Sequence, residues 1–213
     1  MGAKPTGAQG TGSLGAGSPG TGSQGTARYA ALLRAVNVGG NSKIAMADLR
    51  TLLTSLGFDD VSTLLQSGNA VFTAPETDPG ALAMKIEAAL AAELGLTSRV
   101  LLRGHAELAA VVAANPFPTA EEEPAKHLVQ FLFEPLSAQA RETIAAFDAT
   151  PWAPEEFQLG DGVIYFRFPS GIGRSVLDAA FTKHLTASFP KAVRPVMTGR
   201  NWNTVRKLVD LTG

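Results

Sequence analysis

Residues 29–73, YAALLRAVNVGGNSKIAMADLRTLLTSLGFDDVSTLLQSGNAVFT, decide the fold. An apolar run at 29–36 reads as a strand and ends in the polar, glycine-bearing segment NVGGNSK at 37–43. Met46, Leu49, Leu52, Leu53 and Leu56 then recur at helical spacing, with Asp48 in the first turn, where the helix dipole favours an acid, and Gly57 as the stop. Two β-rich runs at 61–66 and 70–73 are joined by the turn-forming triplet Ser67-Gly68-Asn69 and make a hairpin. Downstream, Asp78 and Pro79 open a helix carrying Leu82, Ile86, Leu90 and Leu94, closed by Gly95. A strand at 98–103 follows, and a short helix with Leu108, Val111 and Val112 stops before Asn115-Pro116. Strand, helix, hairpin, helix, strand is the βαββαβ order of a ferredoxin-like unit, here with one extra C-terminal helix.

The same order returns beyond residue 125, with strands at 127–133, 155–159, 163–168 and 193–197 and helices at 137–147, 175–185 and 202–211. FQLGDGVIYF at 157–166 parallels LLQSGNAVF at 64–72, each holding a tight polar turn between apolar runs. The expected fold is therefore α+β, two tandem ferredoxin-like units over 27–114 and 126–213 with mainly antiparallel sheets. Between them NPFPTAEEEPA at 115–125, with three prolines and the acids Glu121, Glu122 and Glu123, reads as a stiff solvated connector. Residues 1–26 hold nine of the 22 glycines and one charge, Lys4, and read as a disordered Gly/Ser/Thr tail.

Composition narrows the function. In 213 residues, 18 Lys plus Arg stand against 19 Asp plus Glu, so no global basic field exists to hold duplex DNA. The absence of cysteine removes disulfides, thiolate metal sites and cysteine nucleophiles, and fits a cytoplasmic setting. No apolar run has the roughly 18 residues of a membrane span. His105, His127 and His184 lie far apart with no HxxxH pairing, so no metal is expected and surface or cap roles suit them. No motif calls for a cofactor: the 37–43 loop matches neither GxxxxGK[ST] nor GxGxxG, and no serine sits in a GxSxG setting.

The βαββαβ topology places the first strand-to-helix loop and the hairpin turn on one rim. There Asn37, Gly39, Gly40, Asn41 and Lys43 would meet Gln66, Ser67, Gly68 and Asn69, with Arg34 at the end of the strand. Backbone N–H groups near a helix start and the lysine charge suit a small anionic, phosphate- or nucleotide-like ligand. The alternative is that the glycines only supply turn geometry and the asparagines bond locally. PSGIGRS at 169–175 is a second strand-to-helix loop with Arg174 as its charge, on the opposite rim of its own unit, and a turn with a solvated arginine is its plainer reading. RNWNTV at 200–205 opens the last helix. Asn201 is its N-cap, while Arg200, Trp202 and Asn203 would either clamp a planar group or, for Trp202, anchor packing.

LLRAVNVGGNSKIAMADLRTLLTSLGF at 32–58, LLQSGNAVF at 64–72, FPSGIGRSVL at 168–177 and GRNWNTVRKL at 199–208 together resemble a widespread bacterial family catalogued as domain of unknown function family 1697. The resemblance implies a tandem ferredoxin-like arrangement and brings no assigned reaction, substrate or cofactor. The leading expectation is a binding or regulatory module for a small anionic ligand at the first rim. An enzyme of unrecognised class using the same rim, with Arg200 or Arg174 stabilising developing charge, is the alternative. A single-stranded RNA binder comes third, with Arg34, Gln66, Arg99 and Arg103 on an open sheet face, although no RNP1 pattern is present and those arginines would equally meet the other half.

Overall fold

The computed structural model describes residues 1–2, 25–37 and 43–213. Strand β1 (Thr26–Leu33), helix α1 (Met46–Ser55), β2 (Asp59–Leu64), β3 (Asn69–Pro75), α2 (Pro79–Leu94), β4 (Val100–Gly104) and α3 (His105–Ala113) make the first unit. The second repeats them as β5 (His127–Leu132), α4 (Ala138–Ala145), β6 (Glu156–Leu159), β7 (Val163–Arg167), α5 (Leu177–Ser188), β8 (Met197–Asn201) and α6 (Trp202–Thr212). The sheet orders are β2-β3-β1-β4 and β6-β7-β5-β8, with every pairing antiparallel, so the expected α+β fold of two ferredoxin-like units is the observed one.

Most element bounds shift by a few residues from the sequence reading, and three differences have a clear physical cause. The first strand begins at Thr26 and ends at Leu33, not at 36, because Ala35 and Asn37 take left-handed backbone conformations (φ 57° and 55°) that no strand can hold. The last strand is 197–201, not 193–197, because the chain is still turning through Pro190–Pro195, where Arg194 Nη2 donates to Thr186 O and Phe189 O. The connector is no solvated spacer. Asn115 clasps Phe117 in both directions (3.0 and 3.3 Å), a single turn at Pro118–Ala120 follows, and Phe117 and Ala120 are buried.

Strand alternation distributes the apolar side chains among three cores. Ala31 and Leu33 of β1 face α1 and α2, against Leu49, Leu53, Ile86 and Leu90. Ile164 and Phe166 of β7 face α4 and α5, against Ile144, Phe181 and Leu185. The opposite faces of the two sheets share the third core, where Ala30, Leu32, Val129 and Phe131 meet Trp202 and Leu208 of α6. Each such fully buried Leu, Ile or Phe stabilises the fold by roughly 1.5–3 kcal/mol.

Each half carries the same set of backbone hydrogen bonds at the end of its first strand. Leu33 N donates to Gly68 O and Leu132 N to Gly162 O, both at 2.9 Å; Arg34 N donates to Arg99 O at 2.9 Å and Phe133 N to Val196 O at 3.0 Å. Across the interface, Arg200 Nη2 donates to Leu33 O at 2.9 Å and Arg103 Nη2 to Leu132 O at 3.3 Å. The repeat seen in the sequence is thus a repeat of backbone geometry, with each half reaching an arginine to the end of the other's first strand.

Candidate functional site

The described ends of the first turn lie beside the hairpin turn. Asn37 accepts from Ile44 N through Oδ1 (3.0 Å) and donates through Nδ2 to Ile44 O (3.0 Å) and Gln66 O (2.7 Å), which ties residues 37 and 44 to each other and to the β2–β3 turn. Gly39, Gly40 and Asn41 lie outside the described residues. Lys43 and Gln66 are exposed and Ser67 is half-buried. Among the described residues Gly68 is the glycine whose conformation the rim requires: its φ is +70°, and a Cβ there would sit 2.1 Å from Val36 Cγ2.

Asn69 is fully buried and its amide is spent inside the protein, donating to Leu64 O and Ser67 Oγ at 3.0 Å each. Its Oδ1 accepts from Arg200 Nε. The other Arg200 donors go to Thr198 Oγ1 (2.9 Å), Gly199 O (2.8 Å), Leu33 O (2.9 Å) and Gly68 O (3.3 Å). All five N–H groups are committed to neutral acceptors, and burial pushes the guanidinium down to about 10. Arg200 and Asn69 therefore join the halves, and neither keeps a polar atom for a ligand.

The remaining residues of the last motif divide in the same way. Asn201 Oδ1 caps α6 by accepting from Thr204 N at 2.9 Å. Trp202 is buried in the shared core and donates to Glu121 Oε1 at 3.1 Å, so packing is its use, while Asn203 is exposed. Glu121 is more than a solvating acid, because it also pairs with Arg206 at 2.8 Å. Near the exposed Arg174, the anion held at the start of α5 is the chain's own Glu155, accepting from Leu177 N (2.8 Å) and Ser175 Oγ (2.9 Å). His127 is buried, not a surface group: Nε2 lies 3.2 Å from Thr119 Oγ1 and Nδ1 has no partner.

The open sheet face that an RNA reader needs is filled by the shared core. Arg34, Arg99 and Arg103 instead meet the second half, through Met197 O (3.1 Å), Glu134 (2.9 Å) and Leu132 O (3.3 Å).

Beside the rim, Arg34 and Arg99 come together on the wall of a cavity of ≈ 670 Å³ that also takes in Met84, Glu87, Ala91 and Ser98. The backbone bond between the two arginines makes them cross-strand neighbours, and Ser98 Oγ fixes Arg34 by donating to its carbonyl at 2.9 Å. The local carboxylates are unevenly shared. Arg99 pairs with Glu134 at 2.9 Å and Glu87 at 3.4 Å and lies over the Phe133 ring at 4.8 Å. The Glu134 hydrogen bond, outweighing the opposing effect of burial, holds the Arg99 guanidinium above its ordinary value. Arg34 has no ion-pair partner among the described residues, and the undescribed ones contain no Asp or Glu. Among the described residues only its Nε donates a hydrogen bond, so both Nη groups are without a partner there, and the residue lines the cavity. The sequence reading singled out Arg34 but linked Arg99 only to the sheet face; nothing local in 97–99 signals that it pairs with residue 34.

The model of a family described as "Protein of unknown function (DUF1697)" matches residues 26–165. The chain belongs to that family. The match covers the first unit and the first strands of the second, including the whole Arg34 rim. Among solved structures, the chain is similar to the conserved bacterial protein SP0830 from Streptococcus pneumoniae, with 26% identity, a TM-score of 0.66, and coverage of 89% of this chain and 100% of that one. No curated protein matches the chain. Among the described residues no helix is long and apolar enough to cross a membrane.

Proposed function

We propose that this DUF1697 protein is a binding or regulatory module for a small anionic ligand, and that the anion sits against Arg34 in the cavity beside the first rim. One observation carries the reading: two arginines are backbone-bonded neighbours, both nearby carboxylates go to Arg99, and Arg34 keeps its charge without an acidic partner. Juxtaposed like charges are unfavourable unless something neutralises them, and a bidentate anion meets the two Nη groups of a guanidinium with matched geometry. Lys43, exposed and next in sequence to Ile44, which Asn37 clasps, adds a second cation to the reading. The ≈ 670 Å³ volume lies within the range of small-molecule sites.

Thermal unfolding in the presence of inorganic phosphate, nucleoside phosphates and short carboxylates tests the proposal. At a hundredfold excess over Kd, a ligand stabilises by about 2.7 kcal/mol, a readable rise in the midpoint. The rise should disappear in Arg34→Ala and persist in Arg174→Ala. A midpoint indifferent to every anion in the panel, or a rise that survives Arg34→Ala, overturns the reading.

A further inference from the structure

The buried clasp of Arg200 and Asn69 has a counterpart that lacks one piece. In the register of the two sheets Ala30 pairs with Arg103 and Val129 with Arg200, while Leu32 pairs with Asn69 and Phe131 with Val163. Arg103 and Val163 therefore stand where the other copy has Arg200 and Asn69. The two guanidinium groups make the same bonds through their outer nitrogens. Nη1 donates to the carbonyl of the preceding residue, Gly199 O at 2.8 Å and Leu102 O at 2.9 Å. Nη2 donates to the end of the opposite first strand, Leu33 O at 2.9 Å and Leu132 O at 3.3 Å. They part at Nε. Arg200 Nε donates to the Asn69 amide oxygen, whereas Arg103 Nε has Glu107 Oε1 at 3.5 Å, an ion-pair contact too long for a hydrogen bond.

A cavity of ≈ 320 Å³ lies beside that nitrogen, bounded by Arg103, the Asp161-Gly162 turn, Val163 and the side of α3 that carries Ala110, Val111 and Ala114. In the closed copy the Asn69 amide nitrogen donates to Leu64 O and to the hydroxyl of Ser67, the residue before Gly68. The residue before Gly162 is Asp161, which lines the cavity and has no hydrogen-bond or ion-pair partner among the described residues. One wall thus offers a guanidinium donor and a carboxylate acceptor, the two roles that the Asn69 amide satisfies in the other copy. The rest of the lining is apolar. Tyr165 adds ring surface, because its hydroxyl is spent on Val111 O at 2.8 Å.

We infer that this cavity binds a small primary carboxamide, whose amide group takes the place that Asn69 fills in the other copy. The ligand oxygen accepts from Arg103 Nε, its NH2 donates to the Asp161 carboxylate, and its apolar body packs between α3 and Val163. Charge decides against the isosteric carboxylate. Glu107 and Asp161 set two carboxylates against the single cation of Arg103, and an anionic ligand brings no N–H to Asp161. An ammonium ligand satisfies Asp161 but brings no acceptor to Arg103. Glu107 keeps its bond from Gly104 N through Oε2 (2.9 Å) when the ligand engages Arg103, and loosening a half-exposed ion pair costs about 1 kcal/mol or less. The volume stands at the small end of small-molecule sites, which suits one ring and its amide.

Benzamide and benzoate share a ring and differ in the group at issue, so both are titrated into the full chain and followed by amide chemical shifts. Benzamide should move Arg103, Asp161 and Gly162 in a saturable way, leave Arg34 and Ser98 in place, and bind at least tenfold more tightly than benzoate. Val163→Asn supplies the missing amide from the chain itself and should abolish benzamide binding. Asp161→Ala changes an exposed side chain; it should weaken benzamide at least tenfold and erase the preference over benzoate, and it decides the matter if Val163→Asn does not fold. Benzoate binding as tightly as benzamide, shifts that bypass Arg103 and Asp161, binding that survives in folded Val163→Asn, or an Asp161→Ala protein that still prefers benzamide overturns the inference.

Discussion

The two interface arginines occupy equivalent places in the repeated plan and live in different surroundings. Arg200 on β8 and Arg103 on β4 each reach the carbonyl that ends the other half's first strand. Arg200 also meets Asn69, which stands where the second unit has Val163, and its guanidinium is sealed from water. Arg103 has no such amide; it pairs with Glu107 at 3.5 Å and lines a cavity of ≈ 320 Å³ with Asp161 and Tyr165. The rims diverge in the same way. Arg34 and Arg99 in the first unit correspond to Phe133 and Val196 in the second, so the cationic pair exists once. The repeat preserves backbone bonds, which any side chain tolerates, and individual side chains decide which copy is sealed and which keeps an arginine without an acidic partner.

That difference can be broken by mutation. Arg200→Ala leaves the buried Asn69 Oδ1 without a donor and takes one donor each from Leu33 O and Gly68 O, which keep Thr198 Oγ1 (3.4 Å) and Leu33 N (2.9 Å), and the expected cost is about 3 kcal/mol in urea unfolding. Arg103→Ala, with its head group partly in water, should cost about 1 kcal/mol or less. Equal costs would mean that the two clasps are alike despite their burial. The turn glycines give the next contrast. Gly68→Ala meets Val36 at 2.1 Å on top of a left-handed backbone, whereas a Cβ at Gly162 (φ +65°) meets nothing within 4 Å. Gly162→Ala should therefore show only the backbone penalty of about 1 kcal/mol, and Gly68→Ala at least twice that.

Smaller effects sharpen the comparison between the entry strands. His127 opens β5, and burial first, then the Arg167 charge, lower its pKa below the ordinary value, against the weaker pull of Glu123 and Glu156. Between the lowered folded value and about 6.5 the unfolded chain binds the extra proton, so stability present above that window is lost as the pH falls through it. Unfolding midpoints measured from pH 7.5 to 5 should decline, and His127→Gln should flatten the decline; an unchanged slope would show that another group governs it. Tyr165, whose hydroxyl donates to Val111 O at 2.8 Å across the shared core, acts at the other extreme. Burial pushes its phenol up to about 12, so its contribution is intact below pH 10 and lost as pH rises toward 12, a loss that Tyr165→Phe should abolish.

Much of this architecture was legible in the sequence because it rests on local signals. The 46–56 periodicity, the Asp78-Pro79 cap with Gly95 beyond it, and the glycine turns at 68 and 162 each specify an element without reference to the rest of the chain. From element order alone came the shared rim, since topology is a consequence of connection. The failures are long-range. Nothing in the acid-and-proline composition of 115–125 shows that Phe117 has a core to enter. Asn69 and Arg200 are 131 positions apart, and both looked like candidate ligand groups until the docking of the halves turned them toward each other. Arg34 was visible as a charge at a strand end, but its lack of an acidic partner depends on Glu87 and Glu134 choosing Arg99 instead.

The central claim is that one copy of the repeat holds an anion site at Arg34, and amide chemical-shift mapping tests it most directly. On titration of the full chain with inorganic phosphate, the account expects the shifts to cluster at Arg34, Ser98 and Arg99, with the Asp161–Gly162 turn of the second copy unmoved. Shifts centred on the 171–175 loop around Arg174, or spread evenly over both copies, would contradict it.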